Sequence, residues 1–442
     1  MTSPGWSSCD TEWGDGQVHD EPLLPELTIR GCGLKNFALL VRGAQGAVYS
    51  ANDASGNRFA VKRLFTQRSD FGIRGVSEGA LREATLLTLV TQRAAERGCE
   101  RDFGVVTLHG VVEAPYKELC LILEMCPLDL SRVVIKRGGR SQGGQLVAET
   151  ASKRCPILAN VDVIRYLVRG IIEILQHLHD ECRIVHRDVK LSNFLVREDG
   201  GVRLSDFGSA RILREDVEER EATECKANPS YDGQTSERGS ISSQEYVGYT
   251  PVAQRTTMIY QSPECLLGER SYSTGVDMWA AGVVFAELVL QQHLFHSASE
   301  LSLISDIWKL LGTSSSDDIC SSNRGAAGLS FVARTEPTID LKFSNNILCA
   351  DGLDLLKKML EVDPKKRITA SDALQHPFLN SQDTGLSLND VRKMWREKVR
   401  QCQEEVTKPI PMGGPFAVFA QNGLEDEDED DDDDEGVDVC LF

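Results

Sequence analysis

The sequence has few of the features that mark secreted or membrane-spanning proteins. Its 13 cysteines include no C-x-x-C pair and no Cys/His cluster at zinc-ligand spacing, which favours reduced thiols in an intracellular compartment, the nucleus, the cytoplasm or both. The N-terminal residues contain no apolar core segment of a signal peptide. The most apolar helical stretch, residues 276–290, is too short to span a bilayer and contains Asp277 and Glu287. We therefore expect a buried helix there, and no membrane partner.

The sequence also has fewer basic than acidic residues: 48 Lys and Arg and 67 Asp and Glu, which give a net charge of −19. Eleven acids form an unbroken run at residues 425–435, and a second acidic stretch occupies residues 214–253. Like charges at that density repel one another, so the terminal run is predicted to be a disordered tail. The remaining body is close to neutral, which argues against direct binding to nucleic acid or to anionic membranes.

The order of hydrophobic patterns predicts an α+β chain. Residues 1–33, rich in Gly, Pro, Asp and Glu, are expected to form a disordered extension. Short β-rich runs and one amphipathic helix follow over about residues 34–123, and mostly helical patterns occupy about residues 127–379. The expected architecture is a small antiparallel sheet with one main helix, followed by a larger α-rich lobe. Residues 380–442 are expected to contain a C-terminal helix and the acidic tail.

The C-terminal helix has an apolar face of its own. Six side chains recur at helical spacing on that face: Leu388, Val391, Trp395, Val399, Cys402 and Val406. Packing against the surface of the domain is the favoured interpretation, and docking of a partner is the alternative.

Four short segments in fixed order carry the chemistry. GAQGAV is a glycine turn between strands, in which missing Cβ atoms let backbone N–H groups approach phosphate oxygens. FAVKRL then places Lys62 on a strand, HRDVKLSN supplies Asp188, Lys190 and Asn193, and LSDFGSAR supplies Asp206. Each segment alone is a weak signal, but four in order make coincidence very improbable.

These residue types suit phosphoryl transfer. Magnesium needs hard oxygen ligands, here the Asp206 carboxylate and the amide oxygen of Asn193. A hydroxyl nucleophile needs a carboxylate that orients it and takes its proton, which is the role expected for Asp188. Charge that develops on the moving phosphoryl group needs cations, for which Lys62 and Lys190 are the candidates.

With these motifs, the sequence resembles the eukaryotic protein kinase family over about residues 34–379. The resemblance implies a bilobal fold that binds ATP and Mg²⁺ between its lobes. Ser262-Pro263-Glu264 and Arg367 match two further family landmarks, and in the family the Glu264 and Arg367 equivalents form a buried ion pair. Lys190 matches the serine/threonine-specific form, and Thr257 matches the threonine that bonds the catalytic aspartate and lysine.

Within the family, the helix GVSEGALREATLL resembles the cyclin-binding helix of cyclin-dependent kinases in the CMGC group. It places Glu83 as the partner of Lys62, and the resemblance implies protein substrates with Ser/Thr acceptors and a cyclin-like regulatory subunit. The resemblance also implies a set of nucleotide-contacting residues: Leu40, Val41, Gly43, Gly46, Val48, Ala60, Lys62, Glu124, Cys126, Asp129, Leu195 and Asp206.

Three arginines, Arg82, Arg187 and Arg211, match the phosphothreonine pocket of the family. Three buried cations without an anion would repel one another, so their joint presence predicts a phosphorylated activation segment. Thr250 is the candidate acceptor. Its rivals are Tyr249 and three serines, Ser240, Ser242 and Ser243.

Two departures from the family pattern keep other functions open. Val41 replaces the first glycine of the phosphate loop, and Gln261 replaces an arginine that helps to impose proline after the phosphorylated residue in relatives. The second change suggests a relaxed Ser/Thr-Pro preference. A pseudokinase scaffold is the main alternative to an active kinase, and a cyclin-independent MAP-kinase-like enzyme is the other.

Overall fold

The structure is a computed structural model of the whole chain. It describes twelve stretches of residues: 27–29, 32–43, 46–68, 74–96, 103–114, 118–134, 155–213, 257–269, 273–312, 336–344, 348–381 and 385–407. The acidic segments and Thr250 lie outside these stretches, so the predictions made for them stay predictions.

The N-terminal part is a six-stranded antiparallel sheet in the order β1-β2-β3-β4-β8-β7. Residues in β3 alternate between the two faces, with Ala47, Tyr49 and Ala51 buried on one of them. The strands of this part are Leu27–Ile29 (β1), Cys32–Gly43 (β2), Gly46–Asn52 (β3), Arg58–Leu64 (β4), Thr66–Arg68 (β5), Arg74–Val76 (β6), Leu108–Ala114 (β7) and Glu118–Glu124 (β8).

The predicted disordered extension is wrong at its C-terminal end. Leu27 pairs with Leu34 and Ile29 pairs with Cys32, so β1 adds an edge strand to the sheet. The backbone hydrogen bonds of this hairpin satisfy groups that an isolated extension would leave to water. The prediction of disorder rested on the Gly, Pro and acidic composition of residues 1–33, which does not reveal a strand this short.

Helix α1, Glu78–Glu96, packs beside the sheet as the amphipathic pattern predicts. It buries Leu86, Leu87 and Val90 together with the carboxylate-bearing Glu83, whereas Leu81 faces outward with 52% of its surface exposed. One core cluster extends from this helix into the helical lobe, and a smaller one lies on the other face of the sheet around Tyr49 and Val61.

The second lobe is built around two long helices. Helix α3 begins where the Asn160 side chain accepts a hydrogen bond from the backbone N–H of Asp162 at 2.8 Å. Helix α5 is buried along its whole length, which explains its predominantly apolar sequence. The helices of this lobe are Leu130–Val134 (α2), Val161–Gln176 (α3), Pro263–Leu266 (α4), Gly275–Leu290 (α5), Glu300–Leu311 (α6), Ile339–Phe343 (α7), Ala350–Met359 (α8), Ala370–Gln375 (α9), Pro377–Asn380 (α10) and Leu388–Thr407 (α11).

The described residues of this lobe also include five short strands. They are Leu128–Asp129 (β9), Ile184–Val185 (β10), Phe194–Val196 (β11), Val202–Leu204 (β12) and Arg211–Ile212 (β13). They form a three-stranded sheet, β12-β11-β9, and a two-stranded sheet, β10-β13. The architecture confirms the expected α+β, bilobal fold. Among the described residues, no helix is both long and apolar enough to cross a membrane.

Helix α11 lies against the domain, as the favoured interpretation of its apolar face predicted. Val391, Trp395, Val399 and Cys402 are buried, and Leu388, at the start of the face, is exposed; the side chain of Val406 lies outside the described part of the chain. The helix packs on α3, α2, β9 and the 3-10 turn Pro156–Ala159.

Candidate active site

Three charged side chains from three separate elements meet between the lobes. Lys62 on β4 places its Nζ 2.7 and 2.8 Å from the two carboxylate oxygens of Glu83 on α1. The same Nζ lies 3.1 Å from Oδ1 of Asp206, which follows β12. The predicted partnership of Lys62 with Glu83 is therefore present, and the lysine bridges the two lobes.

Lys62 and Asp206 stabilise each other's charged form. Burial opposes the charged form of Lys62, but attraction by Glu83 and Asp206 outweighs it and raises the pKa of the lysine. Attraction by Lys62 lowers the pKa of Asp206 against the opposing effect of burial. Both groups therefore stay ionised at neutral pH, as a site for a polyphosphate and a cation requires.

A second cluster surrounds Asp188. Lys190 donates to Oδ2 of Asp188 at 2.8 Å and to the Thr257 hydroxyl at 2.9 Å. The side-chain amide nitrogen of Asn193 donates hydrogen bonds to the backbone carbonyl of Asp188 at 2.8 Å and to Oδ2 of Asp188 at 3.1 Å. The structure thus brings three sequence-predicted residues, Lys190, Asn193 and Thr257, together beside the Asp188 carboxylate.

Buried Asp277 on α5 holds the backbone of this loop. Its two carboxylate oxygens accept hydrogen bonds from the backbone N–H groups of His186 and Arg187, each at 2.7 Å, and one also contacts Nε2 of His179 at 2.9 Å. Burial raises the pKa of this carboxyl, but the hydrogen bond with His179 and the other contacts outweigh it and lower the pKa overall. Arg187 has a φ of 69°, a conformation that a non-glycine residue adopts only when its surroundings enforce it.

Most of the predicted nucleotide-contacting residues lie on strands of the N-terminal sheet and on β9 and β11. Val48, Ala60 and Leu195 are half-buried, while Leu40 and Val41 on β2 are largely exposed. Leu195 on β11 pairs directly with Asp129 on β9. The roles of these residues as nucleotide contacts stay predictions.

The hinge residues Glu124 and Cys126 connect the lobes. The Glu124 carboxylate accepts hydrogen bonds from the backbone N–H of Thr107 at 2.8 Å and from its hydroxyl at 3.2 Å, and it also lies 3.3 Å from Nε of Arg203. Only the backbone of Glu124 is therefore suited to a ligand. Burial raises the pKa of the Cys126 thiol to about 12, so this cysteine is neutral at physiological pH.

The two glycines of the phosphate loop face each other across the β2–β3 hairpin. Gly43 pairs with Gly46, and the residues between them lie outside the described stretches. A Cβ on Gly46 would lie 2.3 Å from the backbone oxygen of Arg63. Close approach of β4 is therefore a second reason for glycine here, beside the approach of phosphate.

The oxygen groups of the site fit Mg²⁺. The hydrogen bonds of the Asn193 side chain use its nitrogen, and the hydrogen bond of the Asp206 side chain with Lys62 uses one carboxylate oxygen, so each side chain keeps an oxygen suited to a cation. Among the described residues there is no group of three His, Cys, Asp or Glu side chains that could hold a metal alone. One carboxylate and one amide match the habit of Mg²⁺, which takes few protein ligands and completes its shell with water and phosphate.

The arginine pocket contains an anion that the sequence analysis missed. The Glu78 carboxylate, in the first turn of α1, pairs with Arg82 and lies 3.6 Å from Nη2 of Arg211. Arg82 also donates to the backbone carbonyl of Gly208. The premise that these cations lack an anion is therefore wrong for two of the three arginines, and the i, i+4 spacing of Glu78 and Arg82 was the available signal.

Comparison with known proteins agrees with this geometry. The family model for the protein kinase domain matches residues 35–379. A protein called Cell division control protein 2 homolog 3, from Trypanosoma brucei brucei, is 31% identical over 346 residues, which cover 77% of this chain and 90% of that protein. The chain therefore belongs to the protein kinase family, as a member of its cyclin-dependent kinase-like CMGC group.

Proposed function

We propose that this protein is an active serine/threonine kinase that uses Mg²⁺ and ATP to phosphorylate Ser/Thr hydroxyls of other proteins. The observation that carries the proposal is the cluster around Asp188, in which Lys190, Asn193 and Thr257 all hydrogen-bond to the carboxylate or to each other. A chain that served only as a scaffold would have no need to keep this cluster intact.

The chain's own residues divide the work between the two clusters. Bound Mg-ATP supplies the phosphoryl group and part of the charge that stabilises its transfer. Asp188 is placed to accept the proton of the attacking hydroxyl, and Lys190 beside it balances the charge on that side. Lys62, fixed by Glu83, presents a cation to the phosphates, while Asn193 and Asp206 would hold the metal.

The Asp188→Asn variant tests the proposal. Purified full-length protein should transfer phosphate from ATP to a generic Ser/Thr substrate, and the variant should be slower by roughly 10²- to 10⁴-fold because it lacks the base. Nucleotide binding should be retained, since Asp188 contacts the hydroxyl side of the site. Wild-type activity no higher than that of the variant, with ATP still bound, would support the pseudokinase scaffold instead.

A cyclin-like partner at α1 is part of the proposal. Glu83 and Leu81 sit on the same helix, Glu83 facing Lys62 and Leu81 facing outward. Ile212 on β13 is also 47% exposed. Exposed large apolar side chains on an element that carries a catalytic partner suit a regulatory subunit that fixes the position of that element. Phosphorylation near Thr250 would add to this control.

Replacing Glu78 by glutamine tests the arginine pocket. In a Thr250→Ala background, we expect Glu78→Gln to lower activity by about twofold to fivefold, the range of an exposed ion pair. The physical reason is that Glu78 joins Arg82 on α1 to Arg211 on β13. Glu300→Gln, which changes an exposed acid in the first turn of α6, is the matched control and should have no effect. Higher activity of Glu78→Gln would show that this carboxylate inhibits the kinase.

A further inference from the structure

Helix α11 lies outside the region that the kinase family model matches, yet it is packed closely against the catalytic lobe. The family match ends at residue 379, and α11 begins at Leu388. The helix contacts β9 and α2, the two elements that follow the hinge directly, as well as α3. Since β9 contains Asp129, a predicted nucleotide contact, the position of α11 links it to the nucleotide side of this lobe.

Trp395 makes the central contact of this helix. Its side chain is completely buried, and its indole Nε1 donates to the backbone carbonyl of Gly200 at 2.8 Å. The next residue, Arg396, donates its Nε to the carbonyl of Asp199 at 2.8 Å. Two adjacent residues of α11 therefore bind two adjacent carbonyl groups in the turn between β11 and β12.

The turn is shaped to receive the indole ring. Gly200 has a φ of +84°, and a Cβ on it would lie 2.8 Å from Cδ1 of Trp395. Any other residue at this position would be strained in its backbone and would also collide with the ring. The turn and the tryptophan thus fit only in this combination.

The strands that leave this turn reach the nucleotide side of the cleft. Leu195 on β11 pairs with Asp129 on β9, and both are predicted nucleotide contacts. From the same hairpin, Arg203 lies 3.3 Å and Arg197 lies 3.9 Å from the carboxylate of Glu124 in the hinge. A shift of the turn would therefore move the two predicted nucleotide contacts, Leu195 and Asp129. It would also move the two arginines that lie beside the Glu124 carboxylate.

We infer that α11 positions the nucleotide pocket and that Trp395 is the positioning residue through which it acts. The indole holds the β11–β12 turn, and the turn holds Leu195, Asp129 and, through the arginines, Glu124. Asp188 and its neighbours Lys190, Asn193 and Thr257 bind one another, whereas Trp395 of α11 binds the β11–β12 turn. The inference deepens the proposed function, on which it rests, by assigning control of ATP affinity to a segment outside the family's domain.

Conservative variants of Trp395 separate positioning from general stability. Trp395→Phe keeps an aromatic ring in the buried site and removes the N–H donor to Gly200. We expect this variant to raise the KM for ATP by about twofold to tenfold, the range for loss of one buried hydrogen bond, with kcat and the KM for a peptide substrate changed less than twofold. Arg396→Met should shift the KM for ATP in the same direction by a smaller factor.

The matched control is Met394→Ala, the exposed neighbour on the same helix, which should leave all constants unchanged. Calorimetric titration of the full-length variants with Mg-ADP measures nucleotide affinity without turnover, and Trp395→Phe should weaken it by the same factor as the KM. If Trp395→Phe and Arg396→Met lower only the melting temperature or only kcat, the inference is overturned. If the wild-type protein has no turnover but Trp395→Phe still weakens Mg-ADP binding, the kinase proposal fails and this inference stands.

Discussion

Lys62→Met is expected to lower kcat by roughly 10²- to 10³-fold, the effect of removing one preorganised charge from a phosphoryl-transfer site. The lysine is held by three oxygen contacts, two to Glu83 and one to Asp206, at 2.7 to 3.1 Å. Its raised pKa keeps it cationic throughout the working pH range, so the loss should not depend on pH between 6 and 9. The measurement is steady-state transfer of phosphate from ATP with a Ser/Thr peptide.

Arg58→Met is the matched control, because Arg58 lies on the same strand with its side chain exposed. A second comparison uses Glu83→Gln, which leaves Lys62 in place but removes its fixed partner. The double variant should be little worse than Lys62→Met alone, since Glu83 acts through the lysine. Additive losses would show that Glu83 has an independent role, and an active Lys62→Met variant would contradict the proposed site.

The sequence predicted the architecture because local patterns in this chain agree with the tertiary structure. Alternation in β3 matches its one-sided burial, and the amphipathic pattern of α1 matches a helix that covers the sheet. Strand β1 was missed because a three-residue edge strand has no periodicity to detect, and its stability comes from pairing with β2.

The site was predictable in its residue types and less so in its supporting contacts. Lys62 and Asp206 are 144 residues apart, yet the motif around each indicates its chemistry. Glu78 was missed because one acid in a helical first turn has an ordinary explanation as a dipole partner. The apolar face of α11 predicted burial of Trp395, but nothing in the sequence indicates that its partner is Gly200, 195 residues away.

Arg367→Met is expected to lower the free energy of unfolding by about 3 to 5 kcal/mol, the usual cost of leaving a buried ion without its partner. Arg367 has a completely buried side chain and binds the two carboxylate oxygens of Glu264 at 2.7 and 2.9 Å. It also donates to the backbone carbonyls of Gly275 and Glu361, each at 2.8 Å. One guanidinium therefore joins α4, the start of α5 and the loop after α8.

Urea titration followed by tryptophan fluorescence measures this loss, because the buried ring of Trp279 lies 5.3 Å beneath the guanidinium. Lys366→Met is the control, because Lys366 is the neighbouring cation in the sequence. Its side chain is 65% exposed and forms a surface ion pair with Asp363. The double variant Glu264→Gln/Arg367→Met should be more stable than the sum of the single losses predicts, because it buries no unpaired charge. If Arg367→Met lowers the free energy of unfolding by less than about 1 kcal/mol, water or a neighbouring group must replace the arginine as the partner of Glu264. The helical lobe would then be held together by packing around α5 rather than by this ion pair.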